Sequence, residues 1–149
     1  TEGAGATPGC PGHTPGGMLE DMEPGSHDGH GHAVLNGLSP LTRELRRKIP
    51  DVYEGFRALH SAAFAPGALD TKTKELMALA IAVADGCDGC IASHARAAVT
   101  AGASEQEAAE TIGVAILMSG GPGTIYGPRA MAAVAEFLTE QTQRTGATV

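Results

Sequence analysis

The chain has 149 residues, a formal net charge of −7 at pH 7, 42% hydrophobic residues, only 3% aromatic residues and no tryptophan. This length suits one domain, whose core must come from Ala, Leu, Ile, Val and Met, and an alanine-rich core favours packed helices over sheets. The negative charge argues against nucleic acid as a partner, and the absence of any apolar run of about 18 residues argues against a membrane span.

Residues 1–37 are crowded with Gly and Pro and contain few large apolar side chains. Such a segment buries too little surface to offset its ordering entropy, so a flexible arm is expected, followed by a helical domain at 38–149. The arm contains the run "HDGHGH", in which His27, His30 and His32 could bind Cu, Ni or Zn. The alternative is an unstructured tail whose histidines have no role.

Helical signals begin after the arm. Ser39 is a candidate N-cap with Pro40 at the first helical position, and Pro50 ends that helix and opens the second. The second helix, over residues 51–64, has an apolar stripe of period 3.6. His60 lies beside this stripe and is interpreted as a core or interface histidine.

The third and fourth helices are predicted from their caps. Asp70 or Thr71 caps the third helix, which is apolar on nearly all sides and should be central, and Gly86 is its expected stop. The fourth helix is predicted to run from about Asp88 to Thr100.

Two further helices complete the prediction. The sequence "SEQE" at 104–107 matches a capping box and opens the fifth helix, and "GGPG" at 120–123 interrupts the chain before a last helix at roughly 124–143. No stretch shows convincing strand alternation. The fold class is therefore expected to be all-α with about six helices.

The stretch "DGCDGCIASH" concentrates the chemistry-bearing residues. On a helix, Cys87, Cys90 and His94 occupy positions i, i+3 and i+7, which share one face, and the spacing allows the two sulfurs to form a disulfide. Cys87 lies in the first turn, where the helix dipole favours a thiolate. The odd total of three cysteines does not fit a secreted disulfide framework, so a cytoplasmic location is expected.

Glu75 is the carboxylate expected to belong with these residues. If the third and fourth helices form an antiparallel hairpin turning near Gly86, Glu75 and His94 lie within about one helical turn of equal depth. The carboxylate could then orient the imidazole, which could accept a proton from Cys90. Alternatives remain: a zinc ion held by both cysteines and His94 with a water, cysteines that merely fill the core, or a solvent-exposed Glu75.

Residues 74–130 resemble the carboxymuconolactone decarboxylase-like family, in particular its alkylhydroperoxidase-D-like branch, and the similarity extends over about residues 51–138. The spacing of Glu75, Cys87, Cys90 and His94 matches the family pattern in full. The resemblance implies an all-helical bundle with a central helix hairpin carrying CxxC, assembly into trimers or hexamers, and thiol-dependent peroxide reduction. One position departs: the hydroperoxidases carry a second histidine where this chain has Gly89.

The function predicted is a peroxiredoxin-type oxidoreductase that reduces hydroperoxides. The resemblance makes Cys90 the sulfur that attacks the peroxide, after which Cys87 closes a disulfide, with Glu75 and His94 as the proton relay. A thioredoxin-like protein or a lipoyl dithiol is expected to reset the pair through Cys87, which should be the more exposed sulfur. No further cofactor is required, and a homo-oligomer is expected. The alternatives are a lactone decarboxylase, and a metal-handling or redox-sensing oligomer that uses the arm.

Overall fold

The computed structural model describes residues 29–146, which fold into six α-helices without a strand. The helices are α1 (His32–Lys48), α2 (Pro50–Phe64), α3 (Thr71–Asp85), α4 (Asp88–Thr100), α5 (Glu105–Ser119) and α6 (Gly121–Gly146). The all-α prediction is confirmed. None of the helices in this described part of the chain has both the length and the apolar character that crossing a bilayer requires.

Helix α1 begins earlier than predicted. It starts at His32 rather than after Ser39, and Pro40 lies inside the helix, so the predicted cap at Ser39 is wrong. The reason is a tertiary contact: the carboxylate of Glu136 in α6 accepts the backbone N–H groups of Gly31 and His32, at 3.3 and 3.0 Å. A carboxylate that accepts first-turn N–H groups does the work of an N-cap. The predicted boundary at residue 37 thus falls within α1, and residues 1–28 of the predicted arm lie outside the described residues.

The core lies among α3, α4, α5 and α6. Its largest fully buried side chains are Leu79, Ile91, Val83 and Val134. Small residues fill the remaining positions, so the helix backbones approach closely. At Gly123, for example, a Cβ atom would lie 2.8 Å from the Cα of Ile116. Close approach of the helices fills the core without large aromatic side chains, which agrees with the low aromatic content of the sequence.

A two-residue turn joins α3 to α4 and sets the position of the cysteines. Asp70 caps the start of α3 by accepting the N–H of Thr73 at 2.7 Å, and Gly86 ends the helix in the left-handed conformation, at φ 66°. Glycine adopts this conformation without the steric cost that a Cβ would add. Both caps were predicted, and they make α3 and α4 the central hairpin of the fold.

The start of α5 is tied to the start of α3. The predicted capping box between Ser104 and Glu107 is present, and the Lys72 ammonium donates to the Glu107 carboxylate at 2.6 Å. This hydrogen bond, together with the N–H of Ser104, holds the pKa of the Glu107 carboxyl below its ordinary value. Both side chains are substantially exposed, so the pair adds little to stability.

Helices α1 and α2 lie outside the core and contribute no buried residue. The α2 stripe at Val52, Phe56 and Leu59 is about two-thirds exposed, and Leu117 and Met118 of α5 are 81% and 78% exposed. Single exposed apolar side chains are ordinary, but whole exposed stripes mark interaction surfaces.

Candidate active site

Cys87 and Cys90 form a disulfide at the start of α4, with their Cα atoms 5.3 Å apart. Cys87 is also the N-cap of the helix: its Sγ accepts the backbone N–H of Cys90 at 3.3 Å. The pair therefore lies where the unpaired N–H groups and the dipole of α4 stabilise negative charge on sulfur.

The two sulfur-bearing residues differ in exposure. As whole residues, Cys90 is exposed and Cys87 is half-buried, which contradicts the expectation that Cys87 is the better exposed of the two. Cys87 follows the Gly86 turn directly, and its N–H bonds to the carbonyl of Ala82, which holds it against the end of α3. Cys90 lies one turn further along α4, on the open side.

Glu75 and His94 are in direct contact. The Nδ1 atom of His94 lies 2.7 Å from Oε2 of Glu75, and the carboxylate is 5% exposed, the only buried charged residue among residues 29–146. A buried carboxylate is costly without a donor, so the contact fixes both groups. When Nδ1 carries the proton toward Glu75, Nε2 of the neutral ring is free to accept another.

A pocket of about 320 Å³ lies between α2 on one side and α3 and α4 on the other. It is lined by Phe56, Leu59, His60, Ala63, Phe64, Ala78, Ile81, Ala82, Asp85, Cys87, Cys90 and His94. The lining is mostly carbon, and it places the disulfide and the imidazole of His94 in one cavity. An apolar cavity with a few convergent polar groups is the usual form of a small-molecule site.

His60 is a site residue that the sequence interpretation missed. It lies in α2, is exposed, and lines the pocket instead of filling the core. Its ring is nearly parallel to that of His94, with centroids 6.4 Å apart, and Phe64 stacks on both rings, at 4.5 and 5.6 Å. A signal existed: His60 follows Phe56 and precedes Phe64 by four residues, so it continues the apolar face of α2.

Gly89 lies under α1. A Cβ atom at this position would come 2.8 Å from Cδ1 of Leu38, so any larger side chain requires Leu38 to move. The position at which the family resemblance leads us to expect a histidine is therefore coupled to the packing of α1 on α4.

Glu75 does not line the thiol pocket but lines a second, larger cavity. This cavity, of about 900 Å³, is bordered by Lys72 and Arg96 and does not include the cysteines or His94. Glu75 thus contacts His94, which lines the thiol pocket, and borders a more polar cavity.

The predicted metal ligands of the arm are only partly described. His27 lies outside the described residues, His30 is in the turn before α1, and Nε2 of His32 lies 3.2 Å from Oε2 of Glu140. Residues 29–146 contain no group of three His, Cys, Asp or Glu side chains arranged to hold a metal ion. Metal binding by the arm stays a prediction.

Comparison with known proteins identifies the family. Residues 50–138 match the model of the carboxymuconolactone decarboxylase family. A family member from Legionella pneumophila is 39% identical, with 72% of this chain and 96% of that one aligned at a TM-score of 0.69. A member from Thermotoga maritima, proposed to take part in an antioxidative response, is 32% identical over 75% of this chain and 97% of that one, at a TM-score of 0.62.

The chain is also similar to two curated proteins. An uncharacterised protein of Cupriavidus necator is 37% identical over 83 residues, which are 56% of this chain and 74% of the relative. An uncharacterised protein of the cox locus of Paracoccus denitrificans is 36% identical over 94 residues, 63% of this chain and 85% of the relative. The chain belongs to the carboxymuconolactone decarboxylase family.

Proposed function

We propose that this protein reduces hydroperoxides with the Cys87–Cys90 pair. The observation that carries the proposal is the disulfide at the start of α4, which shares an apolar pocket with a histidine that a buried glutamate orients. The relative from Thermotoga maritima, with its proposed antioxidative role, supports the same class of activity.

In the proposed cycle, His94 accepts the thiol proton of Cys90 while Glu75 stabilises the imidazolium. The thiolate attacks one peroxide oxygen: an S–O bond forms, the O–O bond breaks, and the second oxygen leaves as an alcohol after taking a proton. The sulfenic acid on Cys90 then reacts with Cys87, forming the S–S bond and releasing water. Two thiols and one hydroperoxide give one disulfide, one alcohol and one water.

Reduction needs an external dithiol, for which a thioredoxin-like protein or a lipoyl group is proposed. Because Cys90 is the more exposed residue of the pair, we propose that the incoming thiolate attacks its sulfur. Cys87 then leaves as a thiolate at the helix N-terminus, where the N–H of Cys90 stabilises it. In the proposed cycle the sulfur of Cys90 thus attacks the peroxide during oxidation and is itself attacked by the external thiolate during reduction. The cycle uses no further cofactor.

A mass measurement tests the proposal. Treating the reduced protein with one equivalent of tert-butyl hydroperoxide should remove about 2 Da from the peptide that contains Cys87 and Cys90. Cys10 is an internal control, because it should remain open to alkylation. An unchanged mass with unconsumed peroxide would contradict the proposal. The lactone decarboxylase alternative uses only Glu75 and His94, so its activity would survive alkylation of both thiols.

We also propose that the exposed apolar face of α5, with Val114, Leu117 and Met118, is covered by further copies of this chain in a trimer or hexamer. Clustered exposed apolar side chains mark interaction surfaces, and closed homo-oligomers are the common way to bury them.

The assembly has a direct test. Replacing Leu117 with Asp places a charge in the most exposed apolar position and should lower the mass found by sedimentation to that of one chain. Gln106→Asp adds the same charge at an exposed polar position of the same helix and should leave the assembly intact. A wild-type protein that sediments as a monomer would refute the proposal.

A further inference from the structure

The thiol pocket contains few groups able to transfer a proton. Most of its lining residues present only carbon. The remainder are the two cysteines, His94, Asp85 and His60. An ionised Asp accepts hydrogen bonds and does not donate them, so the imidazoles are the proton donors of the lining once the attacking cysteine is a thiolate.

The proposed reaction needs a proton at a place distinct from the one where His94 acts. Attack on a peroxide proceeds in line, so the leaving oxygen lies beyond the attacked oxygen, away from the sulfur. His94 is held at Nδ1 by Glu75, and in the proposed cycle its other nitrogen serves Cys90. Negative charge therefore develops on the leaving oxygen, further into the pocket than His94. A proton donor positioned there accelerates cleavage of the O–O bond.

His60 has the properties of such a donor. It comes from the opposite wall, α2, and Phe64 stacks on its ring at 4.5 Å, which limits the orientations of the imidazole. Within residues 29–146, neither of its ring nitrogens has a hydrogen-bond or ion-pair partner. The side chain is exposed, so solvent can return a spent proton.

We propose that His60 is a second catalytic residue, the general acid that protonates the leaving oxygen of the hydroperoxide. The inference rests on the proposed peroxidase function. The thiol proton of Cys90 passes to His94 and on to solvent, while the His60 imidazolium gives one proton to the alkoxide and recovers it from solvent. One proton enters and one leaves, so the balance of the oxidative step is unchanged.

The test compares two oxidants that differ in their leaving group. tert-Butyl hydroperoxide releases a strongly basic alkoxide, which needs a proton, whereas peracetic acid releases acetate, which does not. His60→Phe keeps an aromatic ring against Phe64 and removes the proton. It should slow oxidation of the reduced pair by tert-butyl hydroperoxide about 100-fold and leave oxidation by peracetic acid nearly unchanged.

Two further variants complete the test, one as a partial rescue and one as a control for loss of charge on the same helix. His60→Gln can donate a hydrogen bond but cannot release a proton, so it should recover part of the lost rate. Glu54→Gln, an exposed neutralisation on the same helix, should oxidise like the wild type with both reagents.

Equal slowing with both oxidants would show that His60 only supports the pocket, and no slowing with either would show that it takes no part; each result overturns the inference. Both results differ from failure of the proposed function, in which the wild-type pair itself is not oxidised.

Discussion

Cys90→Ser is expected to abolish hydroperoxide turnover. The serine hydroxyl occupies the same exposed position in the first turn of α4, but it is not ionised near neutral pH and does not attack the O–O bond. Peroxide consumption in the presence of excess dithiol should fall to the rate found without protein. A coupled peroxide assay, with the fold checked by circular dichroism, measures this effect.

The matched variant is Cys87→Ser, which keeps the attacking sulfur. Without added dithiol it should consume one equivalent of peroxide and stop, because no neighbouring thiol closes the disulfide, and its mass should rise by about 16 Da as the sulfenic acid forms. If Cys90→Ser retained turnover, or if the two variants behaved alike, the assignment of the attacking sulfur to Cys90 would be wrong.

Glu75→Gln is expected to lower the rate of peroxide-driven disulfide formation by about 100-fold. The amide keeps the size of the side chain and can accept a hydrogen bond from Nδ1 of His94, but it does not stabilise the imidazolium that forms when Cys90 loses its proton. Because a hydrogen bond and the packing are kept, the free energy of unfolding should change by only about 1 kcal/mol. Stopped-flow kinetics measure the rate of disulfide formation, and thermal unfolding measures the change in stability.

Glu107→Gln is the control for the loss of a carboxylate elsewhere in the fold. It removes the charge that pairs with Lys72 at the start of α3, yet Glu107 has no contact with His94, so the oxidation rate should stay that of the wild type. An oxidation rate of Glu75→Gln that matches this control would mean that Glu75 only fills a buried position.

Local signals in the sequence predicted the elements of the fold that depend on short-range interactions. The Asp70 cap, the Gly86 stop and the capping box at Ser104 act within a few residues, so the helices they bound were predicted correctly. The start of α1 was missed because its cap is Glu136, more than a hundred residues away along the chain. A cap supplied by another helix leaves no trace in the neighbouring sequence.

The candidate site likewise combines features that follow from local sequence with features that depend on how the helices pack. The spacing of Cys87, Cys90 and His94 on one helix, and the depth of Glu75 on its neighbour, follow from helical geometry and could be derived before the structure. The place of His60 could not, because it depends on how α2 lies against the α3–α4 hairpin. The exposure of Cys90 relative to Cys87 also depends on the turn geometry.

The sulfur of Cys87 has a structural role as the N-cap acceptor of α4. The N-cap residue of this helix is Cys87 rather than Ser, Thr, Asp or Asn, and its sulfur accepts the N–H of Cys90. A thiolate accepts such a bond far more strongly than a disulfide sulfur, since charge-assisted hydrogen bonds are the stronger ones. The hydrogen bond at this helix terminus is therefore expected to be stronger in the reduced protein than in the oxidised one. Amide hydrogen exchange at the start of α4 is therefore expected to report whether the cysteine pair is oxidised or reduced.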